Sequence, residues 1–218
     1  VHQISLVSAD ERQRMLQQWN QNDAPYPAES SIAEQFDAIV QAQPHHPALW
    51  CEGELCSYQS LARQANQLAH HLISQGVGPE TVVAFCGERS QSMLVSLLAI
   101  VKAGGAYLPI DPNYPDERIA YMLDNARAQW VIYQPEFKAR LQELSQPLID
   151  ACASYEHLPA SAPVCPIKPD QLALVIYTSG STGKSKGIEL TQRNVLRLVK
   201  NSNVTPLNKG ETLLHYAP

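Results

Sequence analysis

The chain has 218 residues, 44% of them hydrophobic, with 16 Lys and Arg against 21 Asp and Glu and a formal net charge of −5. That is enough apolar material for a sizeable core, as one large domain or two small ones, and the mild acidic balance argues against a nucleic-acid partner. The longest apolar run, 93–101, is interrupted by Ser96 and ends at Lys102. It falls well short of the roughly 20 residues that cross a bilayer, and VHQISLVSADERQ at the N-terminus lacks the apolar centre of a signal peptide, so no membrane association and a cytoplasmic location are expected.

In chain order, Ser8 with Glu11 three residues on is a capping-box signature that opens a short helix reaching Trp19, and QNDAPYPAESS after it reads as a linker. Ser31 with Glu34 opens a second helix, which ends near Pro44. His45 and His46 lie in a proline-bounded loop with no acid or cysteine at ligand spacing and read as surface residues. A hairpin is expected around Gly53. Next comes a helix in which Tyr58, Leu61, Ala62, Ala65, Leu68, Ala69 and Leu72 fall on one face, then a strand over 81–86.

From there strands and helices alternate. The pattern predicts a helix over 90–103 stopped by Gly104 and Gly105, a strand over 107–110, a helix over 115–125 with Pro115 at its first position, and a strand over 130–133. A helix over 135–144, a strand at 148–149 and a proline-containing loop over 151–169 follow. A buried strand ending at Tyr177, a short strand near Ile188, a helix from Thr191 and a strand from Thr212 complete the chain. Arg193, Arg197 and Lys200 share one face of that last helix and read as solvated. Repeated β-α-β order gives an α/β fold, a mainly parallel sheet with helices on both faces, and no internal repeat is visible.

The cysteines Cys51, Cys56, Cys86, Cys152 and Cys165 form no C-x-x-C pair. They read as reduced structural thiols, with Cys51 and Cys56 placed where a hairpin could bring them opposite each other, and no metal site is expected.

Residues 172–187, LALVIYTSGSTGKSKG, hold the chemistry. Val175, Ile176 and Tyr177 suit a covered strand, and Gly180, Gly183 and Gly187 permit backbone shapes in which several N–H groups converge on one anion. Thr178, Ser179, Ser181 and Thr182 add hydroxyl donors; Lys184 and Lys186 add positive charge. A Walker loop ending in Gly183-Lys184-Ser185 would need glycine at 178, where Thr178 stands, and the glycine spacing also departs from G-x-G-x-x-G. A Walker-type kinase or ATPase and a dinucleotide site are both disfavoured on those grounds.

This stretch resembles the phosphate loop of adenylate-forming enzymes, Y-T-S-G-[ST]-T-G-x-P-K-G, in particular the adenylation domains of nonribosomal peptide synthetases. LAIVKAGGAYLPID, ending at Asp111, resembles the family's L-K-A-G-x-A-Y-L-P-I-D motif and is structural punctuation with no catalytic role. LCSYQSLARQANQLAHHL, ending at Leu72, resembles the L-T-Y-x-E-L motif, with Ser60 in place of glutamate. Ser185 stands where the loop motif has proline, which frees the backbone just before Lys186, and Gln192 stands where histidine is common. The motif's final lysine maps to Lys186, while Lys184 occupies a variable position.

The resemblance implies a reaction in which ATP converts an amino-acid carboxylate into an acyl adenylate, with Mg²⁺ bridging phosphates, followed by transfer to a phosphopantetheine thiol on a carrier domain. It implies an interdomain joint over 1–28 from a preceding condensation domain, and over 29–218 an incomplete N-terminal part of the large adenylation domain. The groups that hold the amino acid, ribose and adenine, and the late mobile lysine, are expected beyond Pro218. No catalytic residue is therefore assigned within the chain, and the 218 residues alone are expected to be inactive. The alternative is a non-catalytic scaffold that binds a neighbouring synthetase domain or a small activator protein.

Overall fold

Ser8 caps the first helix, α1 (Ala9–Gln13), with its Oγ accepting from Glu11 N at 3.2 Å while Glu11 Oε2 accepts from Ser8 N at 3.0 Å. The computed structural model describes residues 7–21, 24–178, 185–200 and 211–215. A π-helical turn, Arg14–Gln18, extends α1, and neither buries a residue. Ser31 and Glu34 close the same reciprocal box at the start of α2 (Ile32–Ala42), so both helix starts lie where the sequence places them.

β1 (Pro47–Cys51) and β2 (Glu54–Ser57) form a separate antiparallel hairpin, turning at Glu52 (φ 53°) and Gly53 (φ 86°). Two consecutive positive φ angles are what a tight hairpin of this hand demands. The register sets Cys51 against Glu54 and Cys56 against Leu49, so the hairpin does not bring the two thiols opposite each other. All five cysteines are free.

α3 (Tyr58–Ser74) follows directly, capped by Ser57, and buries Leu61, Ala65, Leu68, Ala69 and Leu72 at the spacing of one helical face. β3 (Val82–Cys86), α4 (Gln91–Lys102), β4 (Ala106–Ile110), α5 (Asp116–Asn125) and β5 (Trp130–Tyr133) then alternate. α4 stops because Gly104 takes φ 82° and because Gly105 lies against the next strand's entry, where a Cβ would sit 3.0 Å from Val77 Cγ1.

The helix expected over 135–144 is shorter: a 3₁₀ turn, Pro135–Phe137, and one turn of α6 (Lys138–Leu141). Leu141 is the only buried residue of those two pieces, so little packing holds a longer helix there. β6 (Leu148–Asp150), β7 (Leu172–Thr178), β8 (Lys186–Thr191) and α7 (Gln192–Val199) complete the regular structure of the described residues. The strand expected from Thr212 does not form within 211–215.

The main sheet runs β6-β5-β3-β4-β7-β8, parallel throughout except for the antiparallel β7–β8 pair. Alternation along β3 sends Val83 and Phe85 into a core with Leu68, Leu72 and Ile100 from α3 and α4. Val82, Ala84 and Cys86 enter a second core with Ile119, Met122, Leu123 and Leu141 from α5 and α6. Each fully buried Leu or Ile contributes about 1.5–3 kcal/mol, so the two layers hold the sheet and fix where its strand ends open. Among the described residues, no helix is long and apolar enough to cross a membrane.

Candidate functional site

In an open sheet with helices on both faces, the carboxyl ends of the parallel strands form the ligand-facing edge. β7 reaches that edge at Thr178, and the chain re-enters the sheet at Lys186, which pairs with Thr178 across the antiparallel ladder. Both side chains are exposed. The intervening Ser179, Gly180, Ser181, Thr182, Gly183 and Lys184 lie outside the described residues. Of the sequence candidates, Thr178, Lys186 and Gly187 are thus placed, side by side at the mouth of one hairpin.

Two tyrosines brace this mouth. Tyr177 lies opposite Gly187, and a Cβ at 187 would approach its ring Cζ to 3.2 Å, a tight fit that by itself favours glycine. The Tyr177 hydroxyl donates to Asn125 Oδ1 at 2.6 Å, tying β7 to the end of α5, and burial, with the nearby Tyr121 second, holds its pKa above the ordinary value. Tyr121 meets Tyr177 edge-on, with ring centroids 6.4 Å apart at 76°, and donates its hydroxyl to the carbonyl of Ser185 at 3.1 Å. Sequence reasoning missed Tyr121: it lies 64 positions from Ser185, and no periodicity links the two.

The hairpin is also pinned at its other end. Arg193 N donates to Pro169 O at 2.9 Å, and its guanidinium meets Asp170 Oδ1 at 2.9 Å and Glu29 Oε1 at 3.5 Å. Arg197 lies over the Tyr26 ring, 5.5 Å from its centroid. The basic face of α7 therefore packs on the segment before α2 and is not merely solvated as the sequence suggested. Gln192 is fully buried and accepts from Ile32 N at 3.1 Å through Oε1, joining the starts of α7 and α2.

The neighbouring loops at this edge are occupied with structure. Gln134 Oε1 accepts from Glu88 N at 2.6 Å and Nε2 donates to Ser90 Oγ at 2.7 Å, closing the turn after β3 over Gly87. Arg140 pairs with Asp116 and reaches the carbonyls of Pro112 and Tyr114. Burial pushes the Cys86 thiol up to about 11, against the lowering effect of Arg140, so it is a neutral thiol rather than a nucleophile at physiological pH. Among the described residues no group of three or more His, Cys, Asp or Glu could hold a metal ion. The chemistry on offer is an exposed ammonium and a hydroxyl at a hairpin mouth braced by Tyr121 and Tyr177, suited to an anion.

The AMP-binding enzyme family profile matches residues 36–218, and the chain belongs to that family. It is 36% identical over 214 residues to tyrocidine synthase 3 of Brevibacillus parabrevis, covering 98% of this chain and 3% of that protein. It is 42% identical over 197 residues to chondramide synthase cmdD of Chondromyces crocatus, covering 88% of this chain and 5% of the relative. Among solved structures, a nonribosomal peptide synthetase in its alpha-methyl-L-serine-AMP bound form superposes with a TM-score of 0.77 at 30% identity, over 84% of this chain and 20% of that one. The N-terminal subdomain of Klebsiella oxytoca NpsA, in complex with 3-hydroxybenzoyl-AMSN, gives 0.71 at 26% identity, over 81% and 45%. The chain thus spans a small part of the curated relatives it matches.

Proposed function

We propose that this chain is part of an amino-acid-activating adenylation domain, in which the hairpin mouth after β7 holds the pyrophosphate portion of ATP while an aminoacyl adenylate forms. The reading rests on one observation above the others: Thr178 and Lys186 stand paired and exposed at the carboxyl edge of a mainly parallel sheet, in a chain of the AMP-binding family. Lys186 supplies the charge; an ammonium about 4 Å from a phosphate oxygen is worth roughly 4 kcal/mol at an effective dielectric near 20. Thr178 adds a hydroxyl donor, and Ser179, Gly180, Ser181, Thr182, Gly183, Lys184 and Gly187 are proposed to complete the loop.

Stabilising charge on the departing pyrophosphate lowers the barrier only if the carboxylate is held in line, so this chain performs one half of the work and needs the rest of a domain for the other. Mg²⁺, where bound, would neutralise phosphate charge through the phosphate oxygens themselves. Residues 1–28 are proposed as the joint to a preceding condensation domain and 29–218 as the N-terminal part of the large domain. The acyl group would pass to a carrier domain's phosphopantetheine thiol.

Amino-acid-dependent exchange of pyrophosphate into ATP tests the reading in a polypeptide that carries this chain within a complete adenylation domain. Exchange above background with at least one amino acid is expected from that polypeptide, and none from residues 1–218 alone. No exchange with any amino acid, proteinogenic or non-proteinogenic, would contradict it.

A further inference from the structure

We propose that Tyr121 is a positioning residue for Lys186, an inference that rests on the phosphate role proposed above. Lys186 is bracketed. On one side the Tyr121 hydroxyl holds the Ser185 carbonyl at 3.1 Å, and that carbonyl belongs to the same planar peptide as the Lys186 N–H. On the other side Gly187 lies against the Tyr177 ring, which is itself fixed by the 2.6 Å bond to Asn125 and by edge contact with Tyr121.

The bracket matters because of what position 185 lacks. The phosphate-loop motif has proline there, a residue that locks its own φ near −65°; Ser185 has no such lock. A hydrogen bond to its carbonyl restrains the same stretch of backbone from outside. Tyr121 is 36% exposed, so its hydroxyl gains little from burial and its fixed direction comes from the ring's contact with Tyr177. Without the bond, Lys186 would leave the strand over a wider range of angles, and a charge that wanders from about 4 Å to about 6 Å loses about a third of its Coulomb attraction.

The experiment uses the complete adenylation domain and three variants, Tyr121→Phe, Ser185→Pro and the double variant, read by pyrophosphate exchange and by amide hydrogen exchange at Lys186. Tyr121→Phe removes one neutral hydrogen bond and is expected to raise KM for ATP about two- to tenfold, with KM for the amino acid unchanged and the Lys186 amide exchanging faster. In the Ser185→Pro background the same substitution should change KM for ATP by less than about twofold, because the ring constraint replaces the bond. An unaltered Lys186 amide and KM for ATP in Tyr121→Phe, or an equal loss in both backgrounds, would overturn the proposal. A wild-type domain with no amino-acid-dependent exchange would instead strike the adenylation reading, and the Lys186 amide would still decide whether Tyr121 holds that peptide.

Discussion

Lys102 buries its ammonium against the carboxylate of Asp37, with the ring of Phe36 5.5 Å beneath the charge, and so locks α2 onto α4. The lysine is 2% exposed, whereas the Asp37 side chain keeps 29% of its surface in water. The pair is therefore unequal: removing the carboxylate strands a cation in the core, while removing the cation leaves a carboxylate that water can still reach.

Asp37→Ala is accordingly expected to destabilise the domain by about 3 kcal/mol, and Lys102→Met by about 1 kcal/mol or less, since an apolar stem of similar length refills the site. Chemical denaturation of the two variants compares them directly. Equal losses would mean that Lys102 finds solvent or another acceptor.

His71 gives the domain an acid-side weakness. Burial first, and the charge of His157 second, hold its pKa below the ordinary 6.5, with its ring 4.8 Å from that of Tyr155. As pH falls below about 6.5 the unfolded chain takes up a proton that the folded chain resists, so stability declines from there down to the depressed value. Above that window both states are neutral and the site contributes no pH dependence. His71→Gln should flatten the decline between about pH 7 and pH 5 in denaturation midpoints; an unchanged slope would assign it to other groups.

Much of the fold was legible in the sequence because it obeys local rules. Ser8 and Glu11, Ser31 and Glu34 announce their helices through two reciprocal hydrogen bonds, and the alternation of strand and helix signals gave β3, β4 and β5 in order. The covered strand read at Val175, Ile176 and Tyr177 is covered only in part, since Ile176 on β7 keeps 39% of its surface exposed. Where the outcome depended on distant partners the sequence was silent. Helical spacing put Arg193 and Arg197 on one face, yet nothing local says that Glu29 and Tyr26 cover it. Gln192 read as a departure from a motif, and its bond to Ile32 spans 160 positions. At the site, glycines and hydroxyls marked the loop, but the brace from Tyr121 belongs to a helix read only from its place in the alternation and from Pro115 at its start.

Arg193 holds the base of the β7–β8 hairpin to two loops at once. Its partners Asp170 and Glu29 are 75% and 86% exposed at their side chains, which limits each ion pair to well under about 1 kcal/mol, and the Arg193 N–H bond to Pro169 survives any side-chain change. Arg193→Ala should thus cost about 1 kcal/mol or less in global stability. Its larger effect should be local, in faster amide exchange at Gln192, whose N–H donates to the Gln171 carbonyl across the base at 3.0 Å. Loss of folding in this variant would show the contact to be worth far more than exposure allows.

The most direct test of the account is the kinetic effect of Lys186→Ala in a complete adenylation domain. With the ammonium gone from the hairpin mouth, kcat/KM for ATP in amino-acid-dependent pyrophosphate exchange is predicted to fall by about 100-fold or more, as expected for loss of roughly 3–4 kcal/mol of phosphate interaction. The KM for the amino acid should stay within about twofold. Unchanged ATP kinetics would remove Lys186 from the phosphate site and contradict the central claim.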